Sequence, residues 1–88
     1  MKAIVTVIGK DRTGIVAKVA TKIADLDLNI DDISQTVLDE FFTMMMVVSS
    51  PHQLDFDRLR RELSEYGKEI NVSIKIQSTT IFESMHRL

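Results

Sequence analysis

The residues best placed to do chemistry stand in one short loop, Gly9-Lys10-Asp11-Arg12-Thr13-Gly14. Glycines let a backbone approach a ligand closely, and the free N–H groups of a helix that starts here favour an anionic group such as a carboxylate. Asp11 could accept a hydrogen bond from an ammonium group. The same residues also suit a tight strand-to-helix turn, with Gly9 and Gly14 easing the backbone and Asp11 or Thr13 capping the helix. A second polar segment, Asn29-Ile30-Asp31-Asp32, offers the amide of Asn29 as both donor and acceptor to a polar ligand. Read blandly, Asn29 stops a helix in left-handed geometry and solvated acids follow. Asp31 and Asp32 do not suggest a metal site, because neighbours on a strand face opposite ways and no His lies near.

Other reactive residue types carry less. Met44, Met45 and Met46 fit core filling better than soft-metal binding. His52 and His86 are far apart, and no motif sets either beside Ser49 or Ser50 as a nucleophile pair. Arg58, Arg60 and Arg61 are balanced by Asp55, Asp57, Glu62 and Glu65, as on a solvated helix face. No catalytic residue, metal ligand or cofactor site is expected. The 88 residues contain no cysteine, which removes disulfides, thiolate zinc sites, iron–sulfur clusters and thiol nucleophiles. A net charge of −2 argues against a nucleic-acid binder that relies on a basic surface. No apolar run is long enough to span a membrane, and the start of the chain has no signal-peptide pattern, so a cytoplasmic protein is expected.

The elements that must position these residues follow from periodicity. Ala3–Ile8 is a β-branched run ended by Gly9 and predicts a strand with apolar residues on both faces. Ile15, Val16, Val19, Ile23 and Leu26 recur at helical spacing and predict a helix from about Thr13 to Leu28. From Ile30 to Val37 a softer alternation predicts a half-exposed strand. Asp39-Glu40 is a turn, and Phe41–Val48 is a second strongly apolar strand, broken by Ser49-Ser50-Pro51. Phe56, Leu59, Leu63 and Tyr66 predict a second helix from near Asp55 to a C-cap at Gly67. Val72, Ile74 and Ile76 alternate with polar residues in a last strand. Ile81, Phe82, Met85 and Leu88 mark a short helical stripe.

The resulting order, β-α-β-β-α-β, is the split-βαβ or ferredoxin-like pattern, an α+β fold. It predicts a single domain over residues 1–88, with a four-stranded antiparallel sheet, two helices on one face and a short C-terminal helix in a tail from about residue 79. The first and third strands lie in the middle. Their apolar residues on the second face need another cover, either the tail or a second subunit, and a homo-oligomer, most simply a dimer, is favoured.

The Gly9-x-Asp11-Arg12-x-Gly14-Ile15-Val16 loop and helix start, with Asn29-Ile30 opening strand two, resembles the ACT domain. The ending Ile81-Phe82-x-x-Met85-His86-Arg87-Leu88 is similar to the stand-alone bacterial ACT proteins of the UPF0237 family. The resemblance implies a regulatory module that binds an amino acid or another small effector. It places the effector where the first loop faces strand two of a neighbouring subunit. Carried onto this chain, the contacts are Gly9, Asp11, Arg12, Thr13 and Gly14 on one side and Asn29 and Ile30 on the other. Without an attached enzyme, such a module regulates an enzyme or regulator in trans. Three other readings share the architecture or the composition. An acylphosphatase would need Arg where Lys18 stands, and Lys is no planar bidentate substitute. An RNA-recognition module would need stacking aromatics on strand one, which has none. A pure oligomerisation module needs no ligand at all.

Overall fold

The computed structural model describes residues 1–10 and 13–79. The elements are β1 (Lys2–Gly9), α1 (Ile15–Asp25), β2 (Asn29–Leu38), β3 (Phe41–Ser49), α2 (Phe56–Glu69) and β4 (Ser73–Ser78). The strands form one antiparallel sheet in the order β2-β3-β1-β4, so the two most apolar strands are central, as the sequence predicts. No helix among the described residues is long and apolar enough to cross a membrane.

Side-chain parity follows from the register. Val5 lies opposite both Met46 and Ile76, so these three share a face. That face carries Ala3, Val5 and Val7 of β1, Phe42, Met44, Met46 and Val48 of β3, and Ile74 and Ile76 of β4. All are buried together with Ile15, Val19 and Ile23 of α1 and Leu59 and Leu63 of α2. Both helices therefore cover one face of the sheet. Met44 and Met46 are fully buried in this core, while Met45 points to the other face and is half-buried. The helices also touch each other, because the Tyr66 hydroxyl donates to the Lys18 carbonyl at 3.4 Å and Lys22 Nζ lies 5.6 Å from the Tyr66 ring centroid.

The second sheet face is mixed. Ile4 is buried there, but Ile8 and Phe41 remain exposed. The predicted tail from residue 80 onward, including the stripe of Ile81, Phe82, Met85 and Leu88, lies outside the described residues.

Several local expectations are corrected. Strand β2 is not half-exposed. Ile33 and Val37 lie across from Met46 and Phe42 on the helix face, yet they are 37% and 56% exposed. β2 is an edge strand, and only Ile30 among its residues is half-buried. Helix α1 starts at Ile15 rather than Thr13, and Gly14 is its N-cap. It ends at Asp25, and the left-handed residue that reverses the chain is Asp27 at φ 61°, not Asn29. Gly67 is no C-cap. Helix α2 continues to Glu69, and Asn71 takes the left-handed backbone at φ 61°. A Cβ at Gly67 would stand 2.6 Å from the Val72 carbonyl oxygen, so glycine is there because the helix lies against the start of β4. Asp55 caps α2 as its residue type suggests, accepting from the N–H groups of Asp57 and Arg58 at 3.1 and 3.2 Å.

Candidate ligand-binding site

The first half of the site is the junction of β1 and α1. Gly9 is buried at the end of β1, where a Cβ would meet Val72 Cγ1 at 2.6 Å and Ile15 Cδ1 at 3.6 Å. Packing therefore explains this glycine. Gly14 has a different reason. Its φ of 72° and ψ of −6° are left-handed, and the space around it is open, with Lys18 Cε at 4.0 Å the nearest atom to a Cβ. A residue with a side chain is strained by that backbone even though it has room.

Gly14 opens α1 with its carbonyl accepting from Lys18 N at 3.0 Å. As a glycine it brings no side-chain acceptor to the first turn, so the role expected of Thr13 as the cap falls to a residue that cannot cap by a side chain. The first turn also holds no acidic residue. A helix start of this kind suits an external anion. Thr13 is exposed, and Asp11 and Arg12 lie outside the described residues.

The second half is the start of β2, and here the structure adds detail. Asn29 Nδ2 donates to Asp31 Oδ1 at 2.7 Å, and Ser49 Oγ donates to the same oxygen at 2.9 Å. The ladder between β2 and β3 slips by one residue between Ile30 and Asp32, so Asp31 sits in a β-bulge. Simple alternation across Asp31-Asp32 is thereby broken. The hydrogen bond from Asn29 and then that from Ser49 hold the Asp31 carboxyl below its usual range, with desolvation opposing them and the nearby charge of Lys2 adding a lesser pull. Asn29 is thus a side-chain donor to Asp31 rather than a helix stop. Ile30 is half-buried against the core.

The tie of Ser49 to Asp31 was invisible in the bare sequence, where Ser49 reads as part of a strand-breaking Ser-Ser-Pro. The Asp39-Glu40 turn alone would set Ser50 opposite Asn29, and the bulge at Asp31 shifts the ladder by one residue so that Ser49 takes that place.

The two halves do not meet within one chain. Gly9 pairs with Phe42 at one end of the sheet, whereas Asn29 and Lys2 both pair with Ser49 at the other. The seven-residue separation along β1 corresponds to roughly 24 Å.

Comparison with known proteins agrees with this architecture. The ACT-domain family model matches residues 2–77. A UPF0237 protein of Streptococcus mutans is 66% identical over 88 residues, covering all of both chains. A UPF0237 protein of Clostridium acetobutylicum is 52% identical over 89 residues, again covering both chains fully. Among solved structures, an ACT domain protein from Streptococcus pneumoniae superposes with a TM-score of 0.90 at 65% identity, covering 94% of each chain. A formyltetrahydrofolate deformylase from Burkholderia mallei shares the fold at a TM-score of 0.74 and 20% identity, covering 88% of this chain and 28% of its own. The chain belongs to the ACT-domain family and groups there with the UPF0237 proteins.

Proposed function

We propose that residues 1–88 act as one cytoplasmic sensing module, a homodimer that binds a small zwitterion such as an amino acid and regulates an enzyme or regulator in trans. It has no catalytic role in this reading. The observation that carries the proposal is the separation of two complementary half-sites. The helix start at Gly14 suits a carboxylate. The Asp31 carboxylate, held ionised by Asn29 and Ser49, suits an ammonium group. An amino acid carries both groups, and only a second copy brings the two half-sites near each other.

Strand β2 supplies a route for that second copy. It is a ten-residue edge strand with exposed Ile33, Val37 and Leu38 and no cationic residue to discourage pairing. Antiparallel pairing of two β2 strands about Ser34 sets Asp31 and Asp32 against Val37 and Thr36 of the second copy, so like charges do not oppose. It also sets Asp31 level with the second copy's Gly9, three strand spacings or roughly 14 Å away. The intervening loop and a small ligand span that gap.

A thermal-shift screen of the purified protein against the amino acids tests the reading, with light scattering on the same samples. A ligand at 100 times its Kd stabilises by about 2.7 kcal/mol. A dimer whose Tm rises with one or a few amino acids is expected. A protein that stays monomeric at high micromolar concentration and responds to none of them refutes the proposal. A dimer without any response favours the ligand-free oligomerisation module.

A further inference from the structure

The sheet has two faces, and α1 and α2 both pack on the one that carries Val5, Met46 and Ile76. On the other face Ile4 is nevertheless buried, at 8% exposure, while Ile8, four residues along the same strand, is 45% exposed. Thr6 between them is half-buried. The neighbouring strands repeat this gradient. Phe41 is exposed at the Ile8 end of β3, whereas Met45 and Val47 are half-buried. In β4, Gln77 is half-buried where Ser73 and Lys75 are exposed. Flanking side chains do not account for the difference. Val47 and Gln77 stand beside Ile4, as Thr43 and Ser73 stand beside Ile8. Side chains rise roughly perpendicular to a sheet, so they shield a neighbour's flank rather than its tip.

The buried end is where the chain leaves the sheet. Ser78, last in β4, pairs with Ala3, and Gln77 pairs with Ile4. Thr79 follows with helical backbone and is half-buried. Beyond it the sequence carries Ile81, Phe82, Met85 and Leu88, an apolar stripe at helical spacing. Such a stripe needs a surface that buries it. The first face of the sheet is taken by α1 and α2. Exposed Ile33 and Val37 of β2 lie across the whole sheet from β4, three strand spacings or roughly 14 Å away.

We propose that residues 80–88 turn back from the end of β4 as a helix and dock their apolar stripe on the second face of the sheet, over Ile4, Thr6 and Val47. The lengths agree. The seven-residue step from Ile81 to Leu88 rises roughly 10.5 Å in a helix. The four-residue step from Ile4 to Ile8 spans roughly 13.5 Å of strand. A stripe laid from the Ser78 end therefore covers Ile4 and Thr6 and stops short of Ile8 and Phe41, which is the order of exposure along the face. The domain is then three-layered, and a second copy cannot stack on this face without displacing the chain's own ending. None of these residues belongs to either effector half-site, so the inference does not depend on the sensing reading.

The test uses the full chain, whose lack of cysteine allows a single spin label at a chosen position. A nitroxide is attached at Glu83→Cys, on the side of the helical repeat opposite the stripe, and line broadening is read at the backbone amides of ¹⁵N-labelled protein. Strong broadening is expected at Ile4, Thr6, Met45 and Val47, less at Ile8 and Phe41, and none at Ala17 and Ala24, exposed on α1. Adding Phe82→Asp is expected to abolish the broadening at Ile4 and Val47, and the milder Phe82→Ala to reduce it, with the amide shifts of α1 unchanged. Broadening absent from the second face, spread evenly over both faces, or undiminished in both Phe82 variants overturns the proposal. A mixture of ¹⁵N protein without nitroxide and unenriched protein with it is expected to show none of the pattern. If the mixture reproduces it, the stripe on this face comes from a second copy, and docking within one chain is wrong.

Discussion

Replacing Gly67 with alanine sets two effects of similar size against each other. Within a helix, alanine is favoured over glycine by about 1 kcal/mol. Gly67 is buried in the last turn of α2, so this gain is an upper bound. The new Cβ would stand 2.6 Å from the Val72 carbonyl oxygen, 3.2 Å from Ile74 Cγ1 and 3.4 Å from the Ile74 amide nitrogen. The first and third of these are backbone atoms, and the Val72 amide is itself tied to the Gly67 carbonyl at 2.8 Å. The strand start cannot withdraw without stretching that bond. Overpacking of this kind costs about 1–3 kcal/mol, and a weakened backbone bond adds about 1 kcal/mol. The net expectation for Gly67→Ala is a loss of about 1–3 kcal/mol. For a domain of this size that lowers Tm by roughly 4–24 °C. Urea unfolding followed by circular dichroism measures it, with Ser64→Ala on the exposed side of α2 as the control. Ser64→Ala is expected to be neutral or slightly stabilising. An unchanged or raised midpoint for Gly67→Ala would show that α2 and β4 are not in close contact, and the packing account would be wrong.

At Gly14 the left-handed backbone makes Gly14→Ala cost about 1–2 kcal/mol with no steric clash, while Gly14→Asn retains more stability; thermal unfolding of the pair separates strain from crowding. Asp55→Ala removes the acceptor for two amides of α2 and is expected to cost about 0.5–2 kcal/mol by denaturant unfolding, with Asp55→Ser recovering most of it. The depressed pKa of Asp31 contributes stability that is present above the unfolded value of about 3.9 and is lost as pH falls through the lower folded value. Asp31→Asn is therefore expected to flatten the acid limb of the unfolding curve below about pH 4, which parallel acid titrations of parent and variant check.

The strand order could be read from composition, because the two runs that are apolar on both faces had to be central. The α1 and α2 core stripes were legible for the same reason, since a period of 3.6 over three or four turns admits no other element. The corrected boundaries share one cause. Asn29 and Gly67 are residue types that end helices, but the types also serve other ends. Gly67 is set by a carbonyl on a strand that follows it, and Asp27, two residues earlier than Asn29, takes the left-handed turn. Neither tertiary neighbour has a local signature. Strand β2 shows the opposite limit. Its alternation looked half-buried, but nothing in a pattern of side chains says whether a helix reaches across to cover an edge strand. The site was legible in half. The glycines of the first loop announced themselves, although for two unlike reasons. The Asn29–Asp31–Ser49 cluster depended on a bulge and on a hairpin partner that polarity does not reveal.

Strand β1 is bracketed by β3 on one side and β4 on the other, and Ala3 lies opposite both Val48 and Ser78. Both of its ladders join residues far apart in sequence. During synthesis the first strand made is the last to be completed, because its outer neighbour is the final strand of the sheet to leave the ribosome. Until then one flank of β1 stays unsatisfied, and the β2–β3 hairpin is the one ladder that forms from near neighbours. The fold is consequently assembled around its earliest residues by its latest ones, and folding speed is governed by closing that long loop rather than by the quick local helices.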